Sequence, residues 1–73
     1  MTVNKYKFGE NIYEVLKQKK LKQIDVAKAM NTIEVQVSRW MNGERMPRVV
    51  TLVKIARFLG VSTDRLLRGV VTE

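Results

Sequence analysis

The residues with the clearest chemical potential stand close together: Glu34, Val35, Ser38, Arg39 and Asn42, followed at once by Gly43. At helical spacing the five side chains form one strip, since positions three and four apart share a face. Such a set suits the edges of DNA bases. A guanidinium can bond both O6 and N7 of guanine, a carboxylate can accept from cytosine N4, a small hydroxyl can serve several bases, and an apolar group can meet a thymine methyl. Each residue also has a plainer use. Arg39 suits a phosphate or bulk water, Glu34 suits the positive end of its own helix dipole, and Val35 suits a core if the helix is slightly rotated. Gln36 lies at the margin, within reach of a base or a phosphate.

Composition narrows the alternatives. The 73 residues contain no Cys and no His, so no disulfide can form and the usual zinc ligands are missing. No nucleophile–base pair stands out, and no enzyme activity, metal or cofactor is expected. Fourteen Lys and Arg against seven Asp and Glu leave a net charge of +7, with a pI near 10.2. That balance attracts polyanions, nucleic acid first and an anionic membrane second. The membrane reading needs a long amphipathic helix or an apolar run of roughly 18 residues, and neither occurs. The start, MTVNKYKFGEN, lacks the apolar stretch and small-residue cleavage site of a signal peptide. The expected compartment is the reducing cytoplasm, at the nucleoid. Single-stranded nucleic acid is a poor match, because it favours several exposed aromatic platforms; Trp40 shares a face with Val37 and reads as core.

The strip needs a frame, and apolar periodicity supplies one. Residues 1–7 read as a basic arm. A first helix is expected from about Gly9 to Lys20, with Phe8, Ile12, Val15 and Leu16 inward, and a second from Gln23 to Met30, burying Val26, Ala27 and Met30. Asn31 and Thr32 supply the turn: Asn tolerates the left-handed conformation, and either residue can cap the next helix. The third helix, Ile33 or Glu34 to Asn42, turns Ile33, Val37, Trp40 and Met41 inward, and Gly43 ends it. Arg45 and Arg48 flank Pro47 in the following loop, placed to lie along a DNA backbone or reach the minor groove. With Lys22 they are the cations expected at phosphates. A fourth helix runs to Leu59, burying Val49, Leu52, Ile55, Ala56 and Leu59, and Gly60 stops it. Ser62 or Thr63 caps a last short helix carrying Leu66 and Leu67, closed by Gly69. Val70 to Glu73 form a tail in which Val70 and Val71 could pair as a short strand. The expectation is one all-α domain of five helices over residues 8–69. Val50, Val53, Phe58, Val70 and Val71 exceed what so small a core can hold, and some are expected to form a dimer patch.

Three segments then resemble the helix-turn-helix family of phage repressors and Cro proteins, also called the xenobiotic-response-element family: L-K-Q-x-D-V-A-K at 21–28, V-S-R-W-M-N-G-x-R-x-P at 37–47 and L-V-K-I-A-R-F-L-G-V-S-T-D-R-L-L at 52–67. The resemblance implies a compact lambda-repressor-like domain whose second and third helices form the helix-turn-helix, binding double-stranded DNA, usually as a homodimer on a roughly palindromic operator. It implies that Gln23 grips a phosphate, that Asn42 and the Gly43 amide meet another, and that Glu34, Val35, Ser38 and Arg39 reach base edges. Departures are informative. Asn31 replaces the usual Gly of the turn, and Ile33 replaces a Ser or Thr cap. A partly buried Arg–Glu ion pair common in the family is Leu16 and Met41 here; both partners became apolar together, so no lone charge is buried. The function implied is transcriptional regulation, most simply repression by occupying an operator. Activation is the rival within that class. An antitoxin or adaptor with the same fold, whose main partner is a protein, is the rival outside it.

Overall fold

The computed structural model describes residues 2–72. The chain folds into β1 (Thr2–Val3), α1 (Lys5–Lys19), α2 (Gln23–Ala29), α3 (Glu34–Met41), α4 (Val49–Leu59), α5 (Thr63–Leu67) and β2 (Val71–Thr72). Four helices stop in one way. The left-handed residue donates to a carbonyl three back, and the next residue donates five back, which satisfies the last carbonyls and reverses the chain. After α1 these bonds are Lys20 to Lys17 (3.3 Å) and Leu21 to Leu16 (2.9 Å); after α2 they are Asn31 to Lys28 (3.2 Å) and Thr32 to Ala27 (2.9 Å). Gly43 and Glu44 repeat the pattern after α3, as do Gly60 and Val61 after α4. Asn31 has φ of 53°, so it does the work expected of the turn.

The left-handed position after α1 is held by Lys20, at φ 58°. A side chain with a Cβ pays about 1–2 kcal/mol there. Lys20→Gly is therefore expected to stabilise the domain by about 1 kcal/mol, less the greater freedom of glycine in the unfolded chain. Chemical denaturation checks this through its midpoint, and an unmoved midpoint would remove the strain argument.

Helix starts differ from expectation. Asn4 accepts from the Lys7 amide at 3.1 Å, so α1 begins at Lys5 and the expected basic arm over 1–7 does not exist as such. Its first part instead pairs antiparallel with the tail, Thr2 opposite Thr72 and Val3 opposite Val71, and the Asn4 amide donates to the Val70 carbonyl at 2.6 Å. Met1 and Glu73, at the outer ends of the expected arm and tail, lie outside the described residues. Ser62 caps α5 by accepting from the Arg65 amide at 3.1 Å. Neither Asn31 nor Thr32 caps α3; its N-cap is Ile33, with no side-chain bond.

The core gathers Phe8, Ile12, Val15 and Leu16 from α1, Val26 and Ala27 from α2, Val37 and Trp40 from α3, and Leu52, Ile55, Ala56 and Leu59 from α4, closed by Leu66 and Val70. Leu16 and Met41 line one depression between α1 and α3, with Leu16 buried and Met41 half-buried. Two expected core members lie outside it, Ile33 at 67% and Val49 at 75% exposure, and two more, Met30 and Met41, are only half-buried against its edge. Ile33 and Val49 sit where a helix begins, beyond the edge of the body, so the apolar period holds but nothing lies beneath. Val70, expected among the leftover residues, is fully buried, because the β1–β2 ribbon draws it inward.

Two contacts fix how α1 holds the rest. Asn11 is the one buried polar residue among those described, at 2% exposure; its Nδ2 donates to the Leu66 carbonyl at 2.8 Å and the Arg68 carbonyl at 2.9 Å, tying α1 to the end of α5. At the N-terminal end of α1, Gly9 faces the Met41 carbonyl so closely that a Cβ would overlap that oxygen and stand 2.8 Å from its carbon. The backbones of α1 and α3 therefore touch without a side chain between them.

Candidate nucleic-acid interface

The exposed side of α3 follows from its core side. Val37 and Trp40 are buried, which turns Glu34, Val35, Arg39 and Asn42 to solvent and leaves Ser38 and Gln36 half-exposed at the two margins. Val35 is 56% exposed, so its core alternative is set aside. The strip read from the sequence is thus one continuous outer surface. Asn42 donates through Nδ2 to Ser38 Oγ at 3.3 Å. That bond uses an acceptor lone pair of the serine and leaves its O–H free to donate, while the second amide hydrogen of Asn42 also stays available.

The remaining site residues fall into two groups flanking this strip. On one flank, Gln23 at the first turn of α2 and Asn42 at the end of α3 share the rim of a depression of about 620 Å³ with Tyr13, Met41 and the carboxylates Glu10 and Glu14. Lys22 lines the adjoining depression, again with Tyr13. On the other flank, Arg45 and Arg48 line a groove of about 440 Å³ with Gln36, Trp40 and Thr51. The loop carrying those arginines is drawn back onto α3, since the Arg39 carbonyl accepts from the amides of Glu44 at 2.9 Å and Arg45 at 3.3 Å. Gly43, at φ 76°, is buried beneath Tyr6: a Cβ there would meet Tyr6 Cδ1 at 2.6 Å. Lys22, Arg45 and Arg48 are exposed and Gln23 is half-exposed.

An outer strip of donors and acceptors between two sets of cations and amides can lie in a groove bounded by two phosphate rows. A DNA major groove, about 12 Å wide, admits a helix in this way. Trp40 belongs to the scaffold, at 3% exposure, and its buried Nε1 has no hydrogen-bond partner. Among the described residues no cluster of three or more His, Cys, Asp or Glu could hold a metal, and no helix is long and apolar enough to cross a membrane.

Three contributors escaped the sequence reading. Tyr13, 58% exposed, stands between both depressions beside Gln23; its place on the outer face of α1 was visible, but not the side of α1 against which α2 begins. Tyr6 covers Gly43 from the first turn of α1, where that helix packs on α3, a contact between distant parts of the chain. Ile33 was assigned inward by period, and no local signal told that α3 overhangs the body at its start.

Comparisons with known proteins agree with this arrangement. The model of the helix-turn-helix family HTH_3 matches residues 12–66. An uncharacterized HTH-type transcriptional regulator, YqaE of Bacillus subtilis (strain 168), is 36% identical over 66 residues, covering 90% of this chain; the chain spans 57% of that relative's length. The crystal structure of the restriction-modification controller protein C.AhdI from Aeromonas hydrophila superposes with a TM-score of 0.79 at 26% identity, over 85% of this chain and 94% of the controller. A transcriptional regulator from Listeria innocua gives 0.79 at 29% identity, over 100% of this chain and 64% of its own. Hydroxypropylphosphonic acid epoxidase from S. wedmorenis contains the same fold, with a TM-score of 0.81 at 25% identity over 90% of this chain, but over only 35% of the enzyme. With the family model spanning most of its length and α2–turn–α3 at its centre, the chain belongs to the HTH_3 helix-turn-helix family.

Proposed function

We propose that the chain is a sequence-specific transcriptional regulator that binds double-stranded DNA through α3 and represses by occupying an operator. One observation carries this reading: the outer strip of α3 is chemically diverse and has Arg45 and Arg48 on one flank and Lys22 and Gln23 on the other, the latter beside Glu10 and Glu14. Glu34, Val35, Ser38 and Arg39 then meet base edges, and Lys22, Gln23, Asn42, Arg45 and Arg48 hold phosphates. The Gly43 amide, expected from the sequence to join them, is buried and donates to the Trp40 carbonyl at 3.3 Å instead. The net charge of +7 supplies the sequence-independent attraction. A controller protein built almost wholly of this fold supports occupancy as a sufficient mode of action. The likeness to an epoxidase covers about a third of that enzyme, and a shared fold does not bring its chemistry, so no enzymatic role is assigned. Two copies on a roughly palindromic site would set their α3 helices about 34 Å apart, one turn of the duplex. Val50, Phe58 and Val71, at 66%, 41% and 47% exposure, are the apolar groups available for that pairing. The setting for this activity is the cytoplasm, at the nucleoid.

Selection from a random duplex pool tests the reading. A defined half-site should be enriched, and log affinity against log salt should slope near −5 if about six phosphates are neutralised per dimer. Arg39→Ala is expected to cost about 1–3 kcal/mol and to relax choice at one or two base pairs. A uniform loss across all sequences would move Arg39 to the phosphate set. No enrichment over competitor DNA would leave only non-specific binding.

A further inference from the structure

We infer that Ile33 is a specificity residue. With Val35 it forms a two-pronged apolar tip on α3 that selects thymine methyl groups at neighbouring base pairs, an inference that rests on the operator-binding role proposed above. The operator half-site then carries thymines where the start of α3 enters the groove.

The argument starts from a local rule that the chain breaks. The position before a helix favours Ser, Thr, Asp or Asn, whose oxygen accepts from the first free amides. α1 and α5 obey, with Asn4 and Ser62 bonding as caps. α2 and α4 begin at Lys22 and Arg48, which make no side-chain cap bond either, but those two are cations with a use at phosphates. At the start of α3 stands Ile33, in extended conformation (φ −96°, ψ 154°) and with no side-chain bond. Nor is Ile33 recruited by the core, since it is 67% exposed. It gives neither a cap nor burial, and such departures concentrate where function is served.

Its surroundings say what it is for. The leading residues of a helix-turn-helix recognition helix are those that contact base edges. The other exposed groups of α3, namely Glu34, Arg39 and Asn42, are all polar; only Ile33 and Val35 are apolar, and they bracket Glu34. Residues two apart do not face each other on a helix, and Ile33 is outside the helical turn, so the two prongs diverge and address different base pairs. In the major groove the apolar feature that distinguishes one base from the rest is the C5-methyl of thymine. An aliphatic pair brought to the groove floor matches that feature and nothing else there.

The test replaces each thymine of the pool-selected duplex, one at a time, by deoxyuridine, which removes only that methyl. The wild-type chain should lose about fourfold in affinity at each of two positions per half-site, as for one buried methyl group. Ile33→Ala should abolish the loss at one of them and Val35→Ala at the other. Ile33→Ser separates reading from folding: the new hydroxyl supplies the missing cap and should raise the melting temperature by about 4–8 °C, while discrimination at the Ile33 position disappears. Wild-type protein that selects a site yet ignores every uracil substitution overturns the inference and leaves operator binding intact. So does an Ile33→Ser variant that keeps the wild-type profile. Wild-type protein that selects no sequence overturns the operator reading itself, and this inference with it.

Discussion

Gly9→Ala lowers the stability of the domain by about 3 kcal/mol and weakens DNA binding beyond what unfolding explains. The sign is not obvious, because alanine favours a helix interior over glycine by about 1 kcal/mol. Against that gain stands a methyl group that overlaps the Met41 carbonyl oxygen and lies 3.1 Å from its Cα. The obstruction is helix backbone and cannot rotate away, so α1 and α3 must move apart. Overpacking costs about 1–3 kcal/mol or occasionally more, and a direct overlap with backbone falls past the upper end, at about 4 kcal/mol, which leaves about 3 kcal/mol net. For a chain of this length the whole stability is about 4–11 kcal/mol, so the melting temperature should fall by roughly 12 °C or more. A second measurement isolates the functional part. Well below the transition, where the variant is folded, affinity for the selected duplex should still fall, since Asn42 and Gly43 follow directly after Met41 and shift with it. A variant as stable as wild type would show that the two helices do not meet at this point.

Asn11→Leu is the second large effect, again about 3 kcal/mol. Leucine has the branching and heavy-atom count of asparagine, a larger volume and a better helix propensity, and it matches the apolar stripe that includes Phe8, Ile12 and Val15. On hydrophobic grounds alone it should stabilise. It removes both hydrogen bonds to the Leu66 and Arg68 carbonyls, however, and a buried acceptor left without a donor costs about 1–3 kcal/mol. One buried acceptor, at Leu66, and one partly buried, at Arg68, together outweigh the gain in apolar area. The damage should be local first: hydrogen exchange is expected to quicken in α5 and at Val70, whose amide bonds Leu67, before it does so in α2 and α3. Uniform exchange across all helices would argue against a specific tie.

These two residues mark where the sequence stopped being legible. The helices of the frame were readable because apolar spacing and stop residues agree locally: Phe8 to Leu16, Val37 with Trp40, and Leu52 to Leu59 each name one face, and Asn31, Gly43 and Gly60 each name one end. The outer strip of α3 followed by subtraction. What could not be read were contacts that exist only across sequence distance. Nothing near Asn11 announces carbonyls 55 and 57 residues away, although a polar residue one position from Ile12 on an inward face was a usable sign. Nothing near Thr2 announces its partner at Thr72. Ile33 and Val49 failed differently, because periodicity tells which side of a helix is apolar and not whether the body extends far enough to cover it.

Trp40 provides a built-in optical probe. It is the sole tryptophan of the chain, so the intrinsic emission has one source, and that source sits in the last turn of α3 on the side opposite the strip. With its indole N–H enclosed and unbonded, the emission should be blue-shifted when α3 is seated and move to the red when the helix lifts from the body. A loosened recognition helix can thus be distinguished from an altered strip by colour alone, without label or tag.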